Sequence, residues 1–425
     1  MAEQPVLFIA YYYPLPSSSE SLRHARVGGE RVYRFVKYLP RHGFVPYVLT
    51  SSRWGQSTDH RIRAVKERFR GENITGSRRR TTPRVSSDSP RMKSFFRTHI
   101  KRLVFPDRLT YTWSPFAIRE GIKLIREHKI RILFSSYPPI ANHFIGHVLA
   151  RITGLPWVAD YRDGYVLEPP HPEPGPAWLR KWFEQQLLSR ANALISVSRL
   201  VADDLAARLP HLPITIIPNG FDPDDIRRIP LHCPPSNTFT IFYGGGFSSS
   251  RSTFDPLVLL NGFKKFIEAC QAYTRAQLII MGHLTPDELN RITAFVQRYP
   301  IILSPWRAKH EFYQAVSRAH VTVLMAGHHK TVVSSKLFDY IALQKPILVL
   351  GDTSEAAQYV KDLRLGLAVP CDPSSVSRAL IGFYNQWLEG DLSASVDATP
   401  ILRFSRPFQA AQLAQIFNSM ITPSR

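Results

Sequence analysis

The 425-residue sequence holds only three cysteines, Cys233, Cys270 and Cys371. They stand far apart, with neither metal-ligand spacing nor a disulfide framework. That argues against a cysteine-built metal centre and a stapled secreted scaffold, and it fits a reducing compartment. Long apolar runs are also missing: none approaches the roughly 20 residues of a membrane-spanning helix. The start, Met1 to Pro5, lacks the basic and apolar stretches of a signal peptide, so a cytoplasmic protein is expected. Two common phosphate-binding signatures are absent as well. No G-x-G-x-x-G follows the first apolar run, and there is no G-K-[ST]. Acidic residues are scarce, 33 Asp/Glu against 54 Lys/Arg, for a formal charge of +21.

What is present suits two α/β domains. Hydrophobic residues make up 44% of the chain, enough to bury cores, and the length exceeds one ordinary domain. The basic excess is uneven. Residues 51–110 carry 16 Lys/Arg and 5 Asp/Glu, a local net of +11. Such a block suits nucleic acid, an anionic membrane surface or an anionic substrate, or it is a solvated loop.

Apolar strand-like runs alternate with helical periodicity. A run at Val6–Ala10 precedes a helix over Val27–His42 that Gly43 closes, and a strand at Val45–Thr50 follows. Residues 51–92, with Arg78, Arg79 and Arg80 among many Ser, Thr and Pro, read as a weakly ordered insertion. The rhythm resumes with helices at Ser114–His128, Ile140–Thr153, Trp178–Arg190 and Arg199–Leu209. Strands at Arg131–Ser135, Trp157–Asp160, Ala193–Val197 and Ile214–Ile217 are interleaved with them. Residues 218–237, rich in proline, read as a linker. A second series follows, with strands from Thr238–Tyr243 to Leu367–Val369. The expected division is 1–217 (basic insertion about 51–110), linker 218–237, and 238–403 as a second domain. A final helix over 404–425 would pack back on the first domain. The expected class is α/β, with two Rossmann-like domains whose parallel sheets face each other across a cleft.

Open parallel sheets bind ligands beyond the carboxyl ends of their strands, which singles out four loops. The first leads from Tyr11 to Gly28 and Gly29, small residues at a helix entry that would let backbone approach an anion. The second, Trp157 to Gly164, sets Asp160 and Asp163 on either side of Arg162. Either carboxylate could position or deprotonate a hydroxyl, and Arg162 could neutralise phosphate; a structural ion pair is the alternative. The third, Tyr243 to Arg251, holds Gly244, Gly245 and Gly246, whose N–H groups with Arg251 suit a diphosphate. The fourth opens a helix at Ser335 with Lys336, Leu337 and Asp339. Its first N–H groups and Lys336 would hold a diphosphate and Asp339 a ribose; an ordinary Lys336–Asp339 helix pair is the alternative. His328 and His329 have no partner at ligand spacing and read as loop residues.

Taken together, these strings resemble the GT-B glycosyltransferases of the family 4-like group. The residues that carry the resemblance are Ile217–Asp222, Ser335–Ile347, Arg34–Gly43, Ser135–Pro139 and Ala159–Asp163, the last three similar to a bacterial branch active on surface polysaccharides and glycolipids. The resemblance implies that Gly245, Gly246, Arg251, Ser335, Lys336 and Leu337 meet the donor diphosphate and that Asp339 holds the ribose. Thr331 and Asp339 stand where many members carry two glutamates, and Gly246 where many carry arginine. The family's catalytic His-Asp pair falls at Arg162-Asp163. Arginine is too basic to be a general base, so Asp163 is the first candidate and Asp160 the second. Glycosyl transfer from a nucleoside-diphosphate sugar, with retention and with no metal or other cofactor, is what the resemblance implies.

The basic block ends in a further pattern. On a helix, Phe96, Ile100, Leu103 and Val104 share one face, with Lys93, Arg97, Lys101 and Arg102 flanking or opposing it. Such a segment suits the inner face of the membrane, where a lipid-linked or glycan acceptor could be reached; packing against the domain is the alternative. A sugar-nucleotide epimerase shares the architecture. A nucleic-acid-binding protein has only the charge in its favour, and no nucleic-acid partner is expected.

Overall fold

The computed structural model describes residues 3–15, 22–67, 107–167, 176–231, 237–247, 255–326, 333–392 and 398–421. Among the described residues thirteen strands form two sheets. The first sheet comprises β1 (Gln4–Ile9), β2 (Phe44–Ser51), β3 (Ile62–Val65), β4 (Ile132–Tyr137), β5 (Trp157–Tyr161), β6 (Ala193–Ser196) and β7 (Ile214–Ile216). The second comprises β8 (Phe239–Gly244), β9 (Ala276–Met281), β10 (Ile301–Ser304), β11 (Val321–Met325), β12 (Ile347–Leu350) and β13 (Gly366–Val369).

β1 pairs in parallel with β2 and β4, and β8 with β9 and β11. The orders of the two sheets are β3-β2-β1-β4-β5-β6-β7 and β10-β9-β8-β11-β12-β13. Both reverse direction once, between β1 and β4 and between β8 and β11. At such a reversal the loops leave in opposite directions and open a crevice at the strands' carboxyl ends. β4, β5, β8 and β12 are buried along their whole length, as strands covered on both faces must be, so their sequences read as apolar runs without alternation.

The chain divides into two compact units. One is residues 1–195, 205–215 and 414–425; the other is 196–204 and 216–413. In the first unit Phe417, from the last helix (Arg406–Ile421), packs its ring on Phe8, Phe44 and Phe134 at 6.4, 5.3 and 6.3 Å between centroids. In the second, Phe221 N–H donates to Phe404 O and Arg406 N–H to Phe221 O, at 3.1 and 2.8 Å. Gln409 adds bonds to Pro218 O and Asn219 O. Residues 218–221, after β7, are thus tied to residues 404–409.

Helix starts follow the sequence. Asp255 accepts from Leu257 N–H, Asp372 from Ser374 and Ser375 N–H, and Thr285 and Glu288 form a reciprocal capping box. Two expectations need correction. The helix expected from Val27 starts at Leu22, because Gly28 and Gly29 are accommodated inside it. The segment after β2 is also more regular than expected. It holds a 3-10 turn at Ser52–Trp54 and the edge strand β3, which runs alongside β2 from Val48–Ile62 to Ser51–Val65. An edge strand is half-exposed and needs no apolar run, so pattern reading passes over it. Residues 68–106, including Phe96, Arg97, Ile100, Lys101 and Arg102, lie outside the described residues.

Candidate active site

In the second unit the loop after β8 is built on close backbone approach. Gly245 has φ +128°, a conformation L side chains rarely adopt, and its N–H donates to Met281 O at 2.8 Å. A methyl at Gly246 would meet His283 O at 2.5 Å, and one at Gly282 would meet the Gly245 carbonyl at the same distance. The loops after β8 and β9 therefore touch backbone to backbone. Two tyrosines hold them. Tyr243 Oη donates to Gly246 O at 3.0 Å, and Gly244 N–H donates to Tyr340 Oη at 3.2 Å. Burial raises both phenols above the usual range, so they stay neutral.

The helix Ser335–Ala342 starts beside this loop. Ser334 caps it, accepting from Lys336 N–H at 3.4 Å. Lys336 reaches across to the glycines: a methyl on Gly245 would lie 2.5 Å from its Nζ. Burial pulls the Lys336 ammonium below the usual lysine range, while Asp339, one turn on, works the other way. Asp339 Oδ1 accepts from Tyr313 Oη at 2.8 Å. Gly245, Gly246, Lys336 and Asp339, separated by some ninety residues in sequence, thus meet at the reversal between β8 and β11. Ser335 is exposed at the helix start. Leu337 differs from expectation. Its side chain is fully buried in the core with Phe338 and Ile341, so only its backbone can belong to a site. Arg251, His328, His329 and Thr331 lie outside the described residues.

Sequence reading missed Gly282, Tyr243, Tyr313 and Tyr340. Gly282 carries the same signal as Gly244, a glycine ending an apolar strand. The tyrosines carry none, because their partners are set by packing.

In the first unit the three candidates separate. Asp160 is sealed: its carboxylate accepts from Arg31 Nε at 3.1 Å, from Arg31 Nη2 at 2.9 Å and from Ser136 Oγ at 2.7 Å, with Asp160 and Arg31 buried. The register sets Ser136 opposite Asp160 on β4 and β5. Asp160 is a positioning residue that joins the helix Leu22–Tyr38 to the sheet, which corrects its place as a candidate base. Arg162 is corrected likewise. Its guanidinium donates to Tyr137 O at 3.2 Å and, in shorter contacts, to Gly28 O and Pro138 O. The fork is spent on three carbonyls at the reversal between β1 and β4. Burial lowers the pKa of this guanidinium, and the neighbouring Asp163 and Asp160 oppose that shift. Asp163 is partly exposed at the end of the same loop. Gly28 and Gly29 lie inside the helix, where methyl groups would meet Tyr12 at 2.9 and 2.7 Å. Their smallness admits the chain's own Tyr12 loop, and that corrects the anion-approach reading.

Beside Asp160, Ser135 Oγ lies 2.7 Å from His143 Nδ1 and accepts from Trp157 Nε1 at 2.8 Å. Complete burial, helped by the Arg162 charge, pushes His143 down to about 3, so it is neutral at ordinary pH. Among the described residues no group of three or more His, Cys, Asp or Glu is placed to hold a metal ion.

Residues 28–225 match the model of Glycosyltransferase Family 4. No curated protein matches the sequence. Among solved structures, the chain is similar to the sucrose-phosphate synthase tll1590 of Thermosynechococcus elongatus, with 15% identity, 99% of this chain and 100% of that one covered, and a TM-score of 0.61. It is similar to Anabaena Alr3699/HepE, crystallised with UDP, at 12% identity, 98% and 100% coverage and a TM-score of 0.63. A Listeria monocytogenes protein assigned as a UDP-N-acetylglucosamine 2-epimerase gives 11% identity, 100% and 98% coverage and a TM-score of 0.57. At these identities the structural likeness is one of fold. Residues 28–225 thus carry the match to Glycosyltransferase Family 4, and over its whole length the chain has the two Rossmann-like units of the GT-B fold.

Proposed function

We propose that the chain transfers a glycosyl group from a nucleoside-diphosphate sugar to a hydroxyl of a glycan or lipid-linked acceptor. The observation that carries this reading is the meeting of Lys336 with Gly245 at the start of the helix Ser335–Ala342. As the glycosidic bond to the donor breaks, the departing diphosphate gains negative charge. A helix start and a partly desolvated ammonium stabilise that charge without reorganising; the Gly244 and Gly245 N–H groups are engaged by Tyr340 and Met281, so the glycines serve by close approach. Arg251 is assigned to the same task. Asp339, with one oxygen engaged by Tyr313, accepts from ribose hydroxyls. Asp163 acts on the acceptor hydroxyl as the base.

In this reading the cations and helix start do the work of a divalent metal, and the anomeric configuration is retained. The setting is cell-surface polysaccharide or glycolipid synthesis on the inner face of the membrane. Among the described residues no helix is long and apolar enough to cross a membrane.

A thermal-shift panel with UDP, GDP, ADP and dTDP tests the donor assignment. UDP comes first because the Anabaena protein of similar fold was crystallised with it. A nucleotide at about 100 times its dissociation constant should stabilise the chain by roughly 2.7 kcal/mol. A panel with no response would overturn the donor site. The fold shared with the Listeria protein favours one second reading, epimerisation of the sugar nucleotide itself. That reaction would proceed on UDP-N-acetylglucosamine with no acceptor added, and we expect no epimer.

A further inference from the structure

The helix Ala177–Leu188 in the first unit buries Glu184, Leu187 and Leu188 and turns its other face to water. That face is unusual. Trp178 is 69% exposed and Trp182, one turn on, is 54% exposed. Lys181, Gln185, Gln186, Ser189 and Arg190 are exposed around them. No acid stands among these positions. Glu184, the helix's one carboxylate, is buried against Arg208. A solvated helix face ordinarily carries mixed charges, and two neighbouring indoles left in water mark a surface that something covers.

We propose that this Trp178–Lys181–Trp182 face docks on an anionic lipid surface. Indole has a flat apolar body and one N–H donor, which suits the headgroup level of a bilayer. Lys181 and Arg190 supply the charge that anionic headgroups attract. Charge decides against a second copy as the occupant. A two-fold contact through this face would bring the cations of one copy among those of the other, with no acid on the face to pair them. The inference deepens the membrane setting proposed above and rests on it, while the donor site is tested separately.

Flotation of the full chain with phosphatidylcholine vesicles, with and without phosphatidylglycerol and at low and high salt, tests the surface. The wild type should float with anionic vesicles at low salt and stay in solution with neutral ones. The W178A/W182A variant, changed only at exposed positions, should lose binding by roughly tenfold. The K181Q/R190Q variant should lose roughly fivefold per residue, together with much of the salt sensitivity. Wild type that stays in solution with anionic vesicles overturns the proposal, and so does a W178A/W182A variant that floats like wild type. Light scattering that shows a wild-type dimer, dissolved by W178A/W182A, would assign the face to a second copy instead. Nucleotide-induced thermal shifts read on the same variants separate a failure of docking from a failure of the donor site.

Discussion

The ammonium of Lys336 occupies the space that a side chain at Gly245 would need, 2.5 Å from where its first carbon would stand. The glycine follows β8 and the lysine stands in the first turn of the helix Ser335–Ala342, so a side chain added at Gly245 would displace the lysine. A cation held against partly exposed backbone suits the proposed diphosphate.

Gly245→Ala should therefore act twice. The backbone at φ +128° becomes strained, at about 1–3 kcal/mol, and Lys336 is displaced. Lys336→Ala removes only the charge-assisted contact, at about 1.5–3 kcal/mol of nucleotide affinity, and should leave the fold intact. Urea unfolding and calorimetry with the nucleotide that responds in the panel measure the two effects. Unchanged affinity in both variants would move the donor site elsewhere.

Asp160 and Asp163 should separate cleanly. Asp160→Asn leaves Arg31 buried opposite a neutral partner and should cost about 3–5 kcal/mol of stability. Asp163→Asn should leave the melting temperature near wild type and lower kcat by tenfold or more, with donor affinity unchanged. An Asp163→Asn enzyme with normal turnover would remove it as the base.

Activity should survive EDTA, since cations of the chain itself are assigned to the leaving diphosphate. Complete loss of activity, restored by magnesium or manganese, would contradict that assignment.

Stability should fall in acid from two histidines held neutral. His143 is pushed down to about 3 by burial, and His320 to about 4 by burial and the Lys345 charge. Both folded values lie below the unfolded one of about 6.5, so in this range the unfolded chain takes up the protons. Their contribution is complete above pH 6.5 and drains away as pH falls toward 4, by at most about 1.4 kcal/mol per unit for each. His320 Nδ1 accepts the Thr240 N–H at 2.9 Å, a bond that glutamine can replace. His320→Gln should flatten the stability profile between pH 6.5 and 4, and a profile as steep as wild type would refute the assignment.

Local pattern was most informative where burial is continuous. The helix Ile140–Thr153 has the expected ends, and β5 and β8 fall within about a residue of theirs, because each apolar run is covered on both faces. It was least informative at edges and within loops. β3 has no apolar run, and Gly28 and Gly29 gave no sign that Tyr12 would fill the space they leave.

The sequence by itself determined two α/β units and the loops that carry their chemistry, since strand, helix and glycine signals are local properties of the chain. Only the tertiary structure decided which charged groups are buried. The same three residues, Asp160, Arg162 and Asp163, read alike in sequence. Folding seals Asp160 against Arg31 and Ser136, fixes Arg162 on three carbonyls and leaves Asp163 partly exposed. The cause is register and crossover. Ser136 comes opposite Asp160 only when β4 and β5 pair, and Lys336 meets Gly245 only where the second sheet reverses between β8 and β11.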